Sequence, residues 1–293
     1  MKSIFLTSLI FIVLLGFFEA VGAVDNTEVF KLQQQIDILN YQIRDLRSLE
    51  ESSQNKGEVS AGAYIAIDAK TKKVILEKNT DRQYPIASVA KLMNAVITLE
   101  NINTKINIKL TQSMLKPEGQ SPSIFLNSKI SVENLLKASL IQSVNDASQA
   151  LSYAVGIGRF VKLMNKKAKA LGMENTIYSD AHGLSENNIS TAQDLAKLAV
   201  HVYQRQPQIL SMTKNDDFWL PDAKGKFLKF KNLNHFYALT NFMGGKTGYT
   251  VESKETMVSI FNINGKQVIV VVLHSEDSQT DTLKLVEMAK ITL

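Results

Sequence analysis

The chain has 293 residues, 45% hydrophobic and 21% charged, a balance that suits folded domains and excludes an extended disordered chain. Its net charge of +5 is spread thinly with no dense basic run, which gives nucleic-acid binding no support. Cysteine is absent, so disulfides and thiolate chemistry are excluded and the compartment has to be read elsewhere.

The N-terminus supplies it. Lys2 precedes an uncharged apolar run over residues 4–18, followed by Glu19 and then Val21-Gly22-Ala23. This predicts a secretory signal over residues 1–23, cleaved after Ala23, because Glu19 cuts the run below the ~20 apolar residues that span a bilayer; an uncleaved membrane anchor is the alternative reading. The mature protein, from Val24, is expected to be exported to the periplasm or another extracytoplasmic part of the envelope. Next, Val29, Leu32, Ile36, Leu39, Ile43 and Leu46 alternate in steps of three and four, a short heptad seam. A lone helix of this length is marginal, so weak self-association through the seam is expected, with packing on the main domain or holding it off the membrane as alternatives. Residues 51–57 are a polar linker. The division is therefore 1–23 signal, 24–58 seam and linker, and 59–293 main domain.

From Ala61 the pattern changes. Residues 63–68 and 74–78 read as two strands joined by a turn through 70–73. After Pro85 the spacing turns helical, with Val89, Leu92, Met93 and Val96 on one apolar face. Ser88 and Lys91 fall three apart on its first turn, within reach of each other. A hydroxyl, a nearby amine and the positive end of a helix are the parts of an activated nucleophile. Ser-x-x-Lys also occurs at Ser53–Lys56 and Ser211–Lys214, so spacing alone does not identify the site.

Residues 108–126 are irregular. Ser131 is the expected N-cap of a helix carrying Val132, Leu135, Leu136 and Leu140. Beyond it, Ser143-Val144-Asn145 offers a hydroxyl able to relay protons and an amide able to bind a peptide group. Ser-x-Asn recurs at Ser53–Asn55 and Ser185–Asn187, where loop turns account for it. Further helices are expected over 159–171, closed by Gly172, and over 195–202, opened by a capping box of Ser190 and Gln193. Gly244-Gly245-Lys246-Thr247-Gly248-Tyr249 then brings a cation and a hydroxyl suited to a carboxylate, with glycines that permit close approach. Strands over 256–263 and 267–273 flank a turn at Asn264-Gly265, and a helix over 280–291 ends the chain. Strands at both ends with helices between predict a mixed α/β domain with an antiparallel sheet.

Ser88-x-x-Lys91, Ser143-x-Asn145 and Lys246-Thr247-Gly248, in that order, resemble the motif set of penicillin-binding proteins. The residues around them, IASVAKLM at 86–93, SVNDA at 143–147, the stretch 160–184, STAQDLA at 190–196 and GKTGYT at 245–250, resemble low-molecular-mass D-alanyl-D-alanine carboxypeptidases. The likeness spans about residues 61–293. It implies a β-lactamase/transpeptidase-like fold, an antiparallel sheet flanked by helices with a helical lobe. It also implies a two-step acyl transfer on peptidoglycan stem peptides, with Ser88 as nucleophile, Lys91 as base, Ser143 as proton relay and Asn145 holding the peptide. Lys246 and Thr247 would bind the terminal carboxylate, with Gly248 and Tyr249 completing the binding strand and the N–H groups of Ser88 and Tyr249 forming an oxyanion hole. β-Lactams would be covalent inhibitors, and neither cofactor nor metal is implied; none of the four histidines has ligand spacing.

Within that resemblance, a chain ending soon after the 280–291 helix is similar to the smaller, tail-less members, some of them DD-endopeptidases that cut cross-links. Pro85-Ile86-Ala87-Ser88 and Asn232-Leu233-Asn234-His235 are similar to that branch, while Asp146 and His182-Gly183-Leu184 are similar to the carboxypeptidases. A D-Ala-D-Ala carboxypeptidase is the leading expectation, a DD-endopeptidase the alternative, and an idle penicillin-binding scaffold a third reading. Lys231 stands where an arginine is common in this family and lacks its bidentate fork, leaving open how the Lys246 strand is held. Glu174-Asn175 does not match the glutamate pattern of class A β-lactamases.

Overall fold

The computed structural model describes residues 58–115, 126–221 and 227–293, all within a compact unit that runs from Asn55 to Leu293. The expected signal, heptad seam and linker lie outside the described residues, as does much of the irregular stretch at 108–126.

In chain order the elements are β1 (Ala63–Asp68), β2 (Val74–Lys78), β3 (Tyr84–Pro85) and, after a 3₁₀ turn at Ala87–Val89, helix α1 (Ala90–Asn101). Then come β4 (Asn107–Lys109), β5 (Lys129–Ser131), α2 (Val132–Ile141), α3 (Asn145–Tyr153), α4 (Ile157–Ala170) and β6 (Ile189–Ser190). Helices α5 (Ala192–Arg205) and α6 (Pro207–Thr213) lead to the hairpin β7 (Asp217–Pro221) and β8 (Phe227–Lys231). The strands β9 (Phe242–Thr250), β10 (Lys254–Ile263) and β11 (Lys266–Ser275) and helix α7 (Ser278–Thr292) complete the chain.

The main sheet has the order β2-β1-β11-β10-β9 and every pairing in it is antiparallel. Strands from the two ends of the chain therefore meet at β1 and β11, as expected. Asn264 (φ +52°) and Gly265 (φ +81°) join β10 to β11 as a two-residue turn, where positive φ at both positions matches the twist of the strands. All of residues 268–273 are buried, because the central strand is covered on both faces. Val268, Val270 and Val272 pack with Phe242, Phe261, Leu285 and Ala289 beneath α7; Ile269, Val271 and Leu273 join the larger core of α1, α2 and α5. Each such valine is worth about 1.5–3 kcal/mol of burial, which makes this strand the axis of the domain.

Local signals account for most helix starts. Ser131 caps α2 by accepting the Asn134 N–H at 3.2 Å. Gly156 (φ +91°) opens α4 two residues earlier than the expected start at 159, and Gly172 (φ +70°) follows its end. The capping box at 190–193 requires correction by one residue: Thr191 caps α5 through the Asp194 N–H at 3.1 Å. The Ser190 hydroxyl is taken by Thr176 at 2.7 Å, so it is unavailable for that role. Helix α6 and the β7–β8 hairpin have no counterpart in the sequence reading. Among the described residues no helix is long and apolar enough to cross a membrane.

Candidate active site

Ser88 lies not in the regular helix but in the 3₁₀ turn that feeds α1, a correction to the sequence reading. The turn is entered through Ala87 at φ +44°, a left-handed conformation that costs a non-glycine residue about 1–2 kcal/mol. The surroundings hold it there. Thr256 of β10 donates to the Ile86 carbonyl at 3.2 Å, and the Ile86 N–H donates to Asn188 O at 3.0 Å. Two glycines allow the chain to close around this turn. A Cβ on Gly248 would stand 2.8 Å from the Ser88 nitrogen, and one on Gly183 only 2.0 Å from the Ala87 oxygen.

One turn on, Lys91 is fully buried at the start of α1. Its Nζ stands 2.7 Å from Ser88 Oγ, 2.8 Å from Asn145 Oδ1 and 2.6 Å from the His182 carbonyl. Burial first, and then the Lys246 ammonium, hold its pKa well below the ordinary lysine range, against the opposing pull of the Asp180 carboxylate. A neutral amine has two N–H bonds and one lone pair. Asn145 Oδ1 and His182 O can only accept, so they take both N–H groups and turn the lone pair toward the Ser88 hydroxyl.

Asn145 opens α3, directly after the left-handed Ser143 (φ +60°) and the Val144 N–H bond to Ala138 O (3.1 Å). Ser143 is half-buried two residues from Asn145, and its hydroxyl makes no hydrogen bond among the described residues. The structure thus joins Ser88, Lys91 and Asn145 directly, while Ser143, two residues before Asn145, makes no hydrogen bond to them.

Lys246-Thr247-Gly248-Tyr249 lies inside β9, an edge strand of the main sheet. Gly245 N–H points away from β10 and donates to Thr213 Oγ1 at 3.0 Å. Strand alternation puts the N–H groups of Thr247 and Tyr249 on that same free edge, and between them Gly248 meets the Ser88 backbone on the sheet face. Lys246 is buried, donates to Thr247 O at 2.7 Å, and is pushed by burial to a pKa of about 7. Thr247 is half-buried and Tyr249, 67% exposed, stands at the rim.

The position of Lys231 has an answer. Its side chain is exposed and its N–H is bonded to Gln142 Oε1 at 3.0 Å. The neighbouring Asn232 is buried and donates to Thr213 O and Asn215 O at 2.8 and 2.7 Å, fixing the threonine that holds Gly245. The stray motifs are structural: Ser211 donates to Pro207 O within α6, and Ser185 Oγ accepts the Asn187 N–H in a loop turn. Ser53–Lys56 lies outside the described residues. Sequence reasoning named His182 only as part of a resemblance; its contribution is a backbone carbonyl, which no side-chain pattern announces.

Residues 50–277 match the model of the peptidase S11 family, described as D-alanyl-D-alanine carboxypeptidase. The chain is 35% identical over 225 residues to a D-alanyl-D-alanine endopeptidase of Escherichia coli K12, covering 74% of this chain and 72% of that one. It is 29% identical over 238 residues to a D-alanyl-D-alanine carboxypeptidase of Bacillus subtilis 168, covering 78% of this chain and 61% of that one. Among solved structures, penicillin-binding protein D2 of Listeria monocytogenes, in its cefotaxime-bound form, superimposes with a TM-score of 0.69 at 28% identity. That match covers 80% of this chain and 98% of the other.

Proposed function

Since the chain belongs to the peptidase S11 family of D-alanyl-D-alanine carboxypeptidases, hydrolases of peptidoglycan peptides, we propose that it is a serine-type D-Ala-D-Ala carboxypeptidase working through an acyl-enzyme on Ser88. The observation that carries this reading is the fully buried Lys91 amine, 2.7 Å from Ser88 Oγ, with its N–H groups committed to Asn145 and His182. Neutral Lys91 takes the hydroxyl proton as Ser88 Oγ bonds to the carbonyl carbon of the penultimate D-alanine. The oxyanion that forms receives the N–H groups of Ser88 and Tyr249. Ser143 passes the proton from Lys91 to the departing nitrogen, and the C–N bond breaks. Water then attacks the ester, returns its proton through Lys91, and Ser88 is regenerated. Lys246 and Thr247 hold the terminal carboxylate, Gly248 lets β9 approach the nucleophile, and Asn145 positions the peptide.

A second reading, cleavage of cross-links as a DD-endopeptidase, is favoured by the 35% identity to the Escherichia coli endopeptidase. Both reactions form the same kind of acyl-enzyme and differ in the amine that leaves. Digestion of purified wall separates them: free D-alanine supports the carboxypeptidase, and loss of cross-linked dimers supports the endopeptidase. Uptake of labelled penicillin by Ser88→Ala at the wild-type rate overturns both. The substrate and the family imply an extracytoplasmic site of action, with residues 1–23 as export signal, 24–58 as a self-associating seam and linker, and 59–293 as the catalytic domain.

A further inference from the structure

We propose that Asp180 is a positioning residue for the general base, its carboxylate tying the 180–185 loop into the shape that presents the His182 carbonyl to Lys91. This rests on the reading of Lys91 as base. Asp180 Oδ1 accepts the N–H groups of His182 (2.9 Å) and Gly183 (2.5 Å), and Oδ2 accepts that of Ser185 (2.7 Å). Three backbone donors on one carboxylate leave the loop little freedom. Its flanks are fastened by Asn188, whose Oδ1 accepts the Ser179 N–H at 3.1 Å and whose N–H donates to Ser185 O at 3.0 Å. On the other side Gly183, at φ +89°, packs against the Ala87 carbonyl. Between these fixed points His182 O reaches Lys91 Nζ at 2.6 Å and takes one of the two N–H bonds that aim the lone pair at Ser88.

The same carboxylate acts on the base through space. The charged or titratable groups facing Lys91 are Lys246 from β9 and Asp180 and His182 from the loop; Ser88 and Asn145 are its neutral partners. Burial opposes ionisation of Asp180, but the His182 ring when protonated, and the three N–H groups at all times, hold the carboxyl below its ordinary range. Asp180 is therefore a fixed negative charge that raises the pKa of Lys91 against burial and Lys246.

The test is the second-order rate of penicillin labelling across pH for the wild type, Asp180→Asn, Asp180→Glu and Lys91→Ala. Asn keeps one acceptor but turns an N–H toward the loop amides. It should slow labelling about tenfold, a fraction of the ~10²–10⁴ that base assistance supplies. Removing the charge lowers the pKa of Lys91, so the acid limb of the profile should also move to lower pH, which a merely structural lesion does not do. Asp180→Glu keeps the charge but misplaces it, and should be slow with its acid limb near that of the wild type. Wild-type labelling by Asp180→Asn, or an acid limb that does not move, overturns the proposal while leaving Lys91 as base. Wild-type labelling by Lys91→Ala overturns the underlying reading instead. If the Asp180 variants do not fold, amide exchange on the native protein decides: the His182, Gly183 and Ser185 N–H groups should be protected, and rapid exchange at all three refutes the tie.

Discussion

Gly183→Ala reports on the site without touching a side chain of the chemistry. A methyl group there begins 2.0 Å from the Ala87 oxygen, at a backbone φ of +89°. An ordinary carbon–oxygen contact is about 3.3 Å, so the loop has to retreat by about 1.3 Å. The His182 carbonyl retreats with it, and its 2.6 Å bond to Lys91 Nζ is lost. Lys91 does not follow, because its other partners, Ser88 and Asn145, are anchored on separate elements. A misplacement of this size in a catalytic group costs about 100-fold in rate, and the strained backbone adds about 1–3 kcal/mol of instability. At about 2–4 °C per kcal/mol for a domain of this size, the melting temperature should fall by several degrees yet leave a folded protein at 25 °C. The assay is time-resolved labelling by a fluorescent penicillin, paired with thermal denaturation. A variant that melts several degrees lower but labels at the wild-type rate refutes the role given to the His182 carbonyl.

Other perturbations separate the remaining parts. Ser88→Ala should abolish covalent penicillin labelling, and Lys91→Ala should slow it ~10²–10⁴-fold, both read by mass spectrometry of the intact protein. Lys246→Ala should raise KM for carboxylate-bearing peptides while Ser88 remains open to small acylating agents without a carboxylate; equal loss toward both would remove its anchoring role. Lys246 titrates near 7 when folded and near 10.5 when unfolded, so across that window the unfolded chain binds the extra proton and stability rises with pH. Lys246→Met should flatten that rise, and melting curves collected between pH 7 and 10 that keep the wild-type slope would contradict it. Thr191→Ala removes the cap of α5 and should cost about 1 kcal/mol in urea denaturation, whereas Ser190→Ala should leave helix capping intact.

The parts of the molecule legible in the sequence are those whose cause is local. The first two strands are delimited by their own alternation and turn residues, and the observed bounds match them. The Ser88–Lys91 spacing foretold a contact because residues three apart on a helical turn are neighbours. Capping at 190–193 was misread because Ser190–Gln193 and Thr191–Asp194 both have the required offset. What decides between them is Thr176, a distant residue that occupies Ser190. From its own residues the Lys-Thr-Gly stretch does not read as a strand, since glycine weakens any strand signal. In the fold, Gly245 and Gly248 serve contact with Val258 O and Ser88 N, which only the assembled sheet reveals. The His182 carbonyl and the Asp180 tie were beyond reach for the same reason: one is a backbone atom and the other holds backbone atoms.

The edge position of β9 also bears on how the protein behaves at high concentration. A nine-residue strand with one open side is a template on which a second chain can zip. Here that side is interrupted by the Thr213 hydroxyl, which occupies the Gly245 N–H, while the turn at Ser88 packs on the adjacent sheet face at Gly248. Beyond it only Thr247 and Tyr249 present free-edge N–H groups before the strand ends at Thr250, a stretch that suits a peptide of a few residues rather than a long foreign ladder. The packing that builds the cleft therefore also guards against amyloid-like pairing. Loss of that interruption, for example through Thr213→Val, should appear first as aggregation on storage rather than as a lower melting temperature.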